Sequence, residues 1–416
     1  MDEQIVEISK KLFELSSKIK LLEAISWPQS AEREFIEGWH RGRVVFPQIS
    51  YRQYDYQDLI AELNKIITRL SEVSPEQALL RRTALSCLQS ALLVEAIGTP
   101  SFGELSLQIF GRPGDRMPGT HLTSVEAAEH FVNIANTFTE LASDAVYDVC
   151  FSSEVLRDHL DEQVRALFGE EGPRVEVVPG LVSKATAGGK RVRLRKGTCF
   201  TEYDLDQLLM HEVFIHSLTS INGYAQTRFK SLAIGVPRTT KTQEGLATFS
   251  ELITGVIDLA RLKRIALRVL AIDRALDGAD FVEVFKYFME QGQSEEESFR
   301  STVRVFRGGF PDQAIIFTKD SIYLDGLIKV HTFFRWAMRG HHIDLLEALF
   351  CGRVALEDIA IVAHLIEQKQ IAKPKFLPPW FKKIHRLGGI LAFSLLANEI
   401  NLREVENYFT KHVVLQ

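Results

Sequence analysis

The chain is poor in the residues that staple, span or polarise a protein, and each scarcity narrows what it can be. Its 416 residues include four cysteines, Cys87, Cys150, Cys199 and Cys351, with no C-x-x-C pair among them. That spacing argues against a thiolate zinc site and a disulfide scaffold, and predicts four reduced thiols in a reducing compartment. Long hydrophobic runs are missing too. The most apolar stretch, Leu387 to Ala397, falls short of the roughly 20 residues that span a bilayer. The acidic start Met1-Asp2-Glu3-Gln4 lacks the basic and apolar regions of a signal peptide. A cytoplasmic protein that contacts no membrane is therefore expected. Neither charge sign dominates: a net charge of −5 presents no polycation, so nucleic acid is not expected as a partner.

What is present is ordinary in amount. Apolar residues make up 46% and charged residues 25%, as in soluble globular proteins, and the length suffices for two or three domains. Ile5, Ile8, Leu12, Leu15, Ile19 and Leu22 recur at helical spacing. The same period runs from Tyr56 to Leu70, and Ser74-Pro75 opens a helix reaching about Ile97. The glycines and prolines between Phe102 and Gly119 read as loop, and Thr123-Ser124-Val125-Glu126 starts another helix. Residues 1–165 thus read as a helical region, 166–350 as a core with a small β element, and 351–416 as helices packed on that core, the last ending near Lys411.

The texture changes at Gly172-Pro173. Arg174 to Val178 and Arg191 to Arg195 alternate polar and apolar, separated by Pro179-Gly180 and Gly188-Gly189, which predicts an antiparallel pair of half-buried strands. Their polar positions are basic: Lys184, Lys190, Arg191, Arg193, Arg195 and Lys196. Such charge either guards a solvated edge strand or forms a wall that receives an acidic peptide tail.

The richest chemistry lies in His211-Glu212-Val213-Phe214-Ile215-His216, followed by Thr242-Gln243-Glu244-Gly245-Leu246-Ala247. Two imidazoles and a carboxylate are a ligand set for catalytic Zn²⁺, which needs three protein ligands and an open position. His211, His216 and Glu244 are the candidate ligands, and Glu212 is the candidate general base. Histidines four apart lie about 40° apart around an α-helix, but five apart they diverge by about 140°. If both bind one ion, the helix must absorb a residue in a π-bulge. Apolar flanks predict that this helix is buried, where unpaired polar groups cost roughly 2–7 kcal/mol each. Thr240-Lys241-Thr242-Gln243 has capping-box spacing and would place Glu244 in the first turn of a helix ending near Lys263. Tyr323, His331 and Arg307 are candidates to stabilise an oxyanion. Glu251, seven residues after Glu244, is placed to orient a ligating histidine.

On these paired motifs the chain resembles the QEGLA-motif family, whose animal members are the microtubule-associated tyrosine carboxypeptidases. Phe200-Thr201, Asn222-Gly223-Tyr224-Ala225-Gln226, Arg307-Gly308, Phe317-Thr318-Lys319-Asp320 and Tyr323-Leu324-Asp325-Gly326 extend the likeness over most of residues 50–350. The resemblance implies a mostly α fold with a small β element (α+β) and a gluzincin-like core. It also implies Zn²⁺ at His211, His216 and Glu244, with Glu212 as base. The activity it implies is a metallocarboxypeptidase acting on a protein or peptide tail and releasing tyrosine or another aromatic residue. A carboxypeptidase must hold a free α-carboxylate, for which Arg191, Arg304, Arg307 and Lys319 are candidates. An endo- or aminopeptidase with the same metal, and a non-catalytic regulator, are the alternatives.

Overall fold

The computed structural model describes residues 2–117, 119–141, 150–181, 183–402 and 405. It is mostly helical with one three-stranded sheet. No helix among the described residues is long and apolar enough to cross a membrane. The expected helix end near Lys411 lies outside the described residues.

Most periodic segments form helices close to where their patterns place them. Ser74 caps helix α1 (Pro75–Glu95), accepting from the Gln77 amide, with Pro75 at the first helical position. The first part of the segment read as loop, Phe102 to Gly119, lies instead in a helix, Pro100–Phe110, and the irregular stretch begins at Gly111. Pro100 starts it, and Phe102, Ser106 and Phe110 are buried along one stripe. Glu244 moves as well. Helix α2 begins at Pro237 and ends at Thr254, where Gly255 takes the left-handed conformation, so Glu244 stands well inside the helix and not in its first turn.

The sheet departs from expectation in a second way. Strand β1 (Arg174–Val178) pairs with β3 (Arg191–Arg195) in parallel, Arg174 opposite Arg191. The antiparallel partner of β3 is β2 (Ala185–Ala187). A two-residue turn at Gly189-Lys190 closes that hairpin, with the Gly188 amide donating to Arg191. Two alanines and a threonine carry too little apolar alternation to announce a strand. Gly189 at the hairpin tip sits where a Cβ would lie 2.7 Å from the Tyr224 ring, which docks the sheet on the motif helix.

Cysteine chemistry also differs from expectation. Cys87 and Cys351 are buried free thiols, but Cys150 and Cys199 form a disulfide across 49 residues. The Phe151–Phe200 bridge brings the two segments together, a contact that residue spacing does not encode.

Two hydrophobic cores result. The first gathers Val192 and Leu194 of the sheet, Val213 to Ile215, Leu246, Phe249, Phe350 and Trp380. The second is aromatic: Trp27, Phe35, Phe102, Phe281, Phe285, Phe299, Phe306 and Phe317. Full burial of each large apolar side chain contributes roughly 1.5–3 kcal/mol. Helix α1 runs through both cores, as does α3 (Ile322–Arg339), which puts Tyr323 and Leu324 in the second and Val330 and Phe334 in the first. Polar residues from elements of both cores meet around Glu244.

Candidate metal centre

The motif segment is a helix throughout, but its middle is wound differently. Between α-helical Glu202–Leu208 and Leu218–Ala225, residues Leu209–Ser217 form a π-helix. The deformation needed for two histidines five apart is present, and at nine residues it exceeds a single bulge. An i→i+5 ladder returns residues five apart to the same face. The His211 and His216 rings accordingly lie edge to face with centroids 4.9 Å apart.

Helix α2 supplies the third group. Both Nε2 atoms are 3.5 Å from the same Glu244 carboxylate oxygen, and the three donor atoms all fall within 4.8 Å of one another. Ligands held about 2.0–2.1 Å from a tetrahedral ion are themselves about 3.3–3.4 Å apart, so the donor types suit Zn²⁺ and the two 3.5 Å separations to Glu244 match its spacing. Helix α2 can come this close because Thr219 hydrogen-bonds Gln243 at 2.8 Å. On its other side Gly245 meets Gly326 of α3: a Cβ at 245 would stand 2.3 Å from the Gly326 backbone.

Glu251, fully buried, accepts from His211 Nδ1 at 2.6 Å, from Gln207 at 2.7 Å, and from Arg261 through two bonds of 3.2 Å. This contact leaves His211 Nε2 facing Glu244. Burial alone would raise the Glu251 carboxyl, but Arg261 and His211 hold it down at about 2. Burial likewise disfavours the charged His211, yet its hydrogen bonds to the accepting Glu244 and Glu251 carboxylates carry it up to about 10. Against its own burial, Glu244 is held well below the usual carboxylate range by Lys319 and the two histidines. Glu212 is 9% exposed, and no hydrogen bond from a described residue engages its carboxylate.

The remaining candidates are distributed unevenly. Lys319 lies 3.4 Å from Glu244, with its ammonium 5.1 Å from the centroid of the Tyr323 ring, so Tyr323 stands beside the centre. Arg304 is engaged by both Asp320 oxygens, while Arg307 and Arg268 each approach Asp320 at 3.8 Å. Burial opposes the Asp320 charge, but these three guanidiniums hold its carboxyl far below the usual range. Burial pushes Arg268 down to about 9 and Arg307 down to about 10. Arg191 faces solvent on β3, 3.9 Å from Glu176, and His331 packs against the Phe249 ring. The basic strand positions are partly neutralised: Lys184 pairs with Asp204. Lys184, Arg195, Lys196 and Arg300 line a cleft of about 540 Å³.

Arg353 was not signalled by any pattern in the sequence. It follows Gly352 in a loop, yet while burial pulls its guanidinium down, the charges of Glu244, Tyr224 and Glu212 oppose that pull. Asp320, Arg261 and Gln207 were also missed as partners, because only the packing of distant helices brings them here.

The family described as microtubule-associated tyrosine carboxypeptidase matches residues 38–399. Mouse microtubule-associated tyrosine carboxypeptidase 1 is 28% identical over 208 residues, 49% of this chain and 42% of the mouse protein. The match therefore spans less than half of that relative's length. A crystal structure described as a lipoprotein from Colwellia psychrerythraea overlays on 84% of this chain and 70% of its own, with a TM-score of 0.47 and 14% identity. That level is too low to transfer fold or function.

Proposed function

Because this chain belongs to the microtubule-associated tyrosine carboxypeptidase family, we propose that it is a zinc-dependent, gluzincin-like metallocarboxypeptidase that removes the C-terminal residue of a protein or peptide tail. The observation that carries this reading is the meeting of His211, His216 and Glu244 within 4.8 Å, next in sequence to a second acid, Glu212, that no ligand role consumes. His211, His216 and Glu244 would hold the ion. When bound, Zn²⁺ supplies Lewis acidity, making water more acidic and a carbonyl more electrophilic. Glu212 takes the proton from the attacking water as its oxygen adds to the scissile carbonyl. It then delivers that proton to the departing amine as the C–N bond breaks. Tyr323 and Lys319 stand where positive or hydrogen-bonding charge can meet the oxyanion. By analogy with the mouse relative's name, the residue released is tyrosine or another aromatic. An acidic tail would lie toward the basic cleft of Lys184, Arg195 and Lys196.

The test is a pair of peptides, one ending in a free acid and one in an amide, incubated with zinc-loaded protein. Release of a single residue from the acid, at least about 100-fold faster than from the amide, is expected, because the cost of an unmatched carboxylate site is large. A chelator should abolish that release and added zinc restore it. Internal cleavage, or equal rates on both peptides, points to an endo- or aminopeptidase. No cleavage of either removes the peptidase reading.

A second expectation concerns Glu251, which touches no substrate but sets the orientation of His211. Glu251→Gln should weaken zinc affinity by about 10- to 100-fold, as loss of a ligand's supporting carboxylate does elsewhere. Competition titration with a fluorescent chelator measures this, and unchanged affinity would show that the His211–Glu251 contact has no bearing on the metal.

A further inference from the structure

We propose that Arg353 receives the α-carboxylate of the substrate's C-terminal residue, an assignment that rests on the carboxypeptidase reading above. The other cations around the centre already have acids. Arg261 is matched by Glu251, Arg304 by Asp320 and Lys319 by Glu244. Among the described residues Arg353 makes no ion pair and no side-chain hydrogen bond, and its Nε is buried without a partner. Arg353 is half-buried, and a cation partly removed from water without an acceptor is unfavourable until an anion completes it.

The position is built, not incidental. The loop carrying Arg353 is pinned to the end of the motif helix, where Asn222 donates to the Phe350 carbonyl and Gln226 to that of Cys351. The Arg353 amide itself donates to Leu232 at 2.7 Å. Gly235 leaves the space that the guanidinium fills, since a Cβ there would stand 2.5 Å from Nη1. Its charge acts on Glu244 and Glu212, the candidate ligand and the base, so an anion on Arg353 would lie within electrostatic reach of the centre. A planar guanidinium also matches the two oxygens of a carboxylate in a way an ammonium does not. Arg307 is the nearest rival because its Nε is likewise unpartnered. It shares Asp320, however, and stacks over Phe317 at 5.3 Å, and its strongest charged neighbours are Arg304 and Asp320.

The experiment compares wild type, Arg353→Gln and Arg307→Gln on the acid and amide peptides. Arg353→Gln is expected to lower kcat/KM on the acid by about 100-fold, mainly through KM, the loss expected for one bidentate charge-assisted contact. Its slow rate on the amide should fall by no more than a few-fold, so that the preference for the acid collapses. Equal loss on both peptides would place Arg353 on the oxyanion and overturn the assignment, as would collapse of acid preference in Arg307→Gln alone. Should Arg353→Gln fail to fold, Gly235→Ala displaces the fork while keeping the charge, and must raise KM on the acid selectively or the assignment falls. If wild type cleaves neither peptide, calorimetric titration with N-acetyl-L-tyrosine and its amide still decides. Tighter binding of the acid by at least tenfold, lost in Arg353→Gln, supports the receptor, and equal binding by both proteins rejects it.

Discussion

Glu212→Gln is expected to lower kcat about 1,000-fold, within the 10²- to 10⁴-fold range of general acid–base catalysis, while the bound zinc per chain stays unchanged. The residue sits between the two histidines in sequence, yet its carboxylate is not among the atoms that converge on Glu244. It is nearly buried and lies where its charge is felt by His211. Glutamine keeps the shape and the burial but cannot accept a proton from water. KM should change little, because the interaction lost is one made only in the transition state. Steady-state kinetics on the free-acid peptide together with metal analysis of the same preparation provide the check. Loss of zinc along with activity would mean that Glu212 helps hold the ion. Unimpaired turnover would mean that proton transfer is done elsewhere.

Gly245→Ala should be nearly as damaging by a different route. The new methyl would meet the backbone of Gly326 at 2.3 Å, and Gly326 is equally crowded, since its own Cβ would stand 2.4 Å from the Lys241 carbonyl. No side chain can rotate away there. Helices α2 and α3 must separate, which costs about 3 kcal/mol or more at the upper end of overpacking penalties. Glu244 is the adjacent residue, so the separation also draws a candidate ligand from both imidazoles. A displacement of about 1 Å at such a site lowers turnover by about 100-fold. Both effects are measurable, by calorimetric melting and by kinetics. A variant that melts and turns over like wild type would show that the close helix contact is not required.

Several features were legible before any coordinates. The H-E-x-x-x-H segment and Glu244 are visible as residue types, and the five-residue spacing of His211 and His216 demanded a widened helix, which Leu209–Ser217 supplies. The Ser74 cap and the helical stripes were readable because each depends on residues within a turn or two. The strand pairing was not, because β1 and β3 alternate equally well for parallel and antiparallel partners. The order of the sheet follows from a hairpin at Gly189 that residue pattern barely marks.

What the sequence determined by itself, then, was local: which segments wind into helices, which side chains can ligate a cation, and that one helix could not remain regular. Tertiary structure alone decided what meets those side chains. The Cys150–Cys199 pairing, the Glu251 contact behind His211, the Gly245–Gly326 approach and the seating of Arg353 against Gly235 each join residues tens to more than a hundred positions apart. The reason is physical. Periodicity and capping act over a few residues, whereas the partner of a buried charge depends on which distant faces the two hydrophobic cores press together.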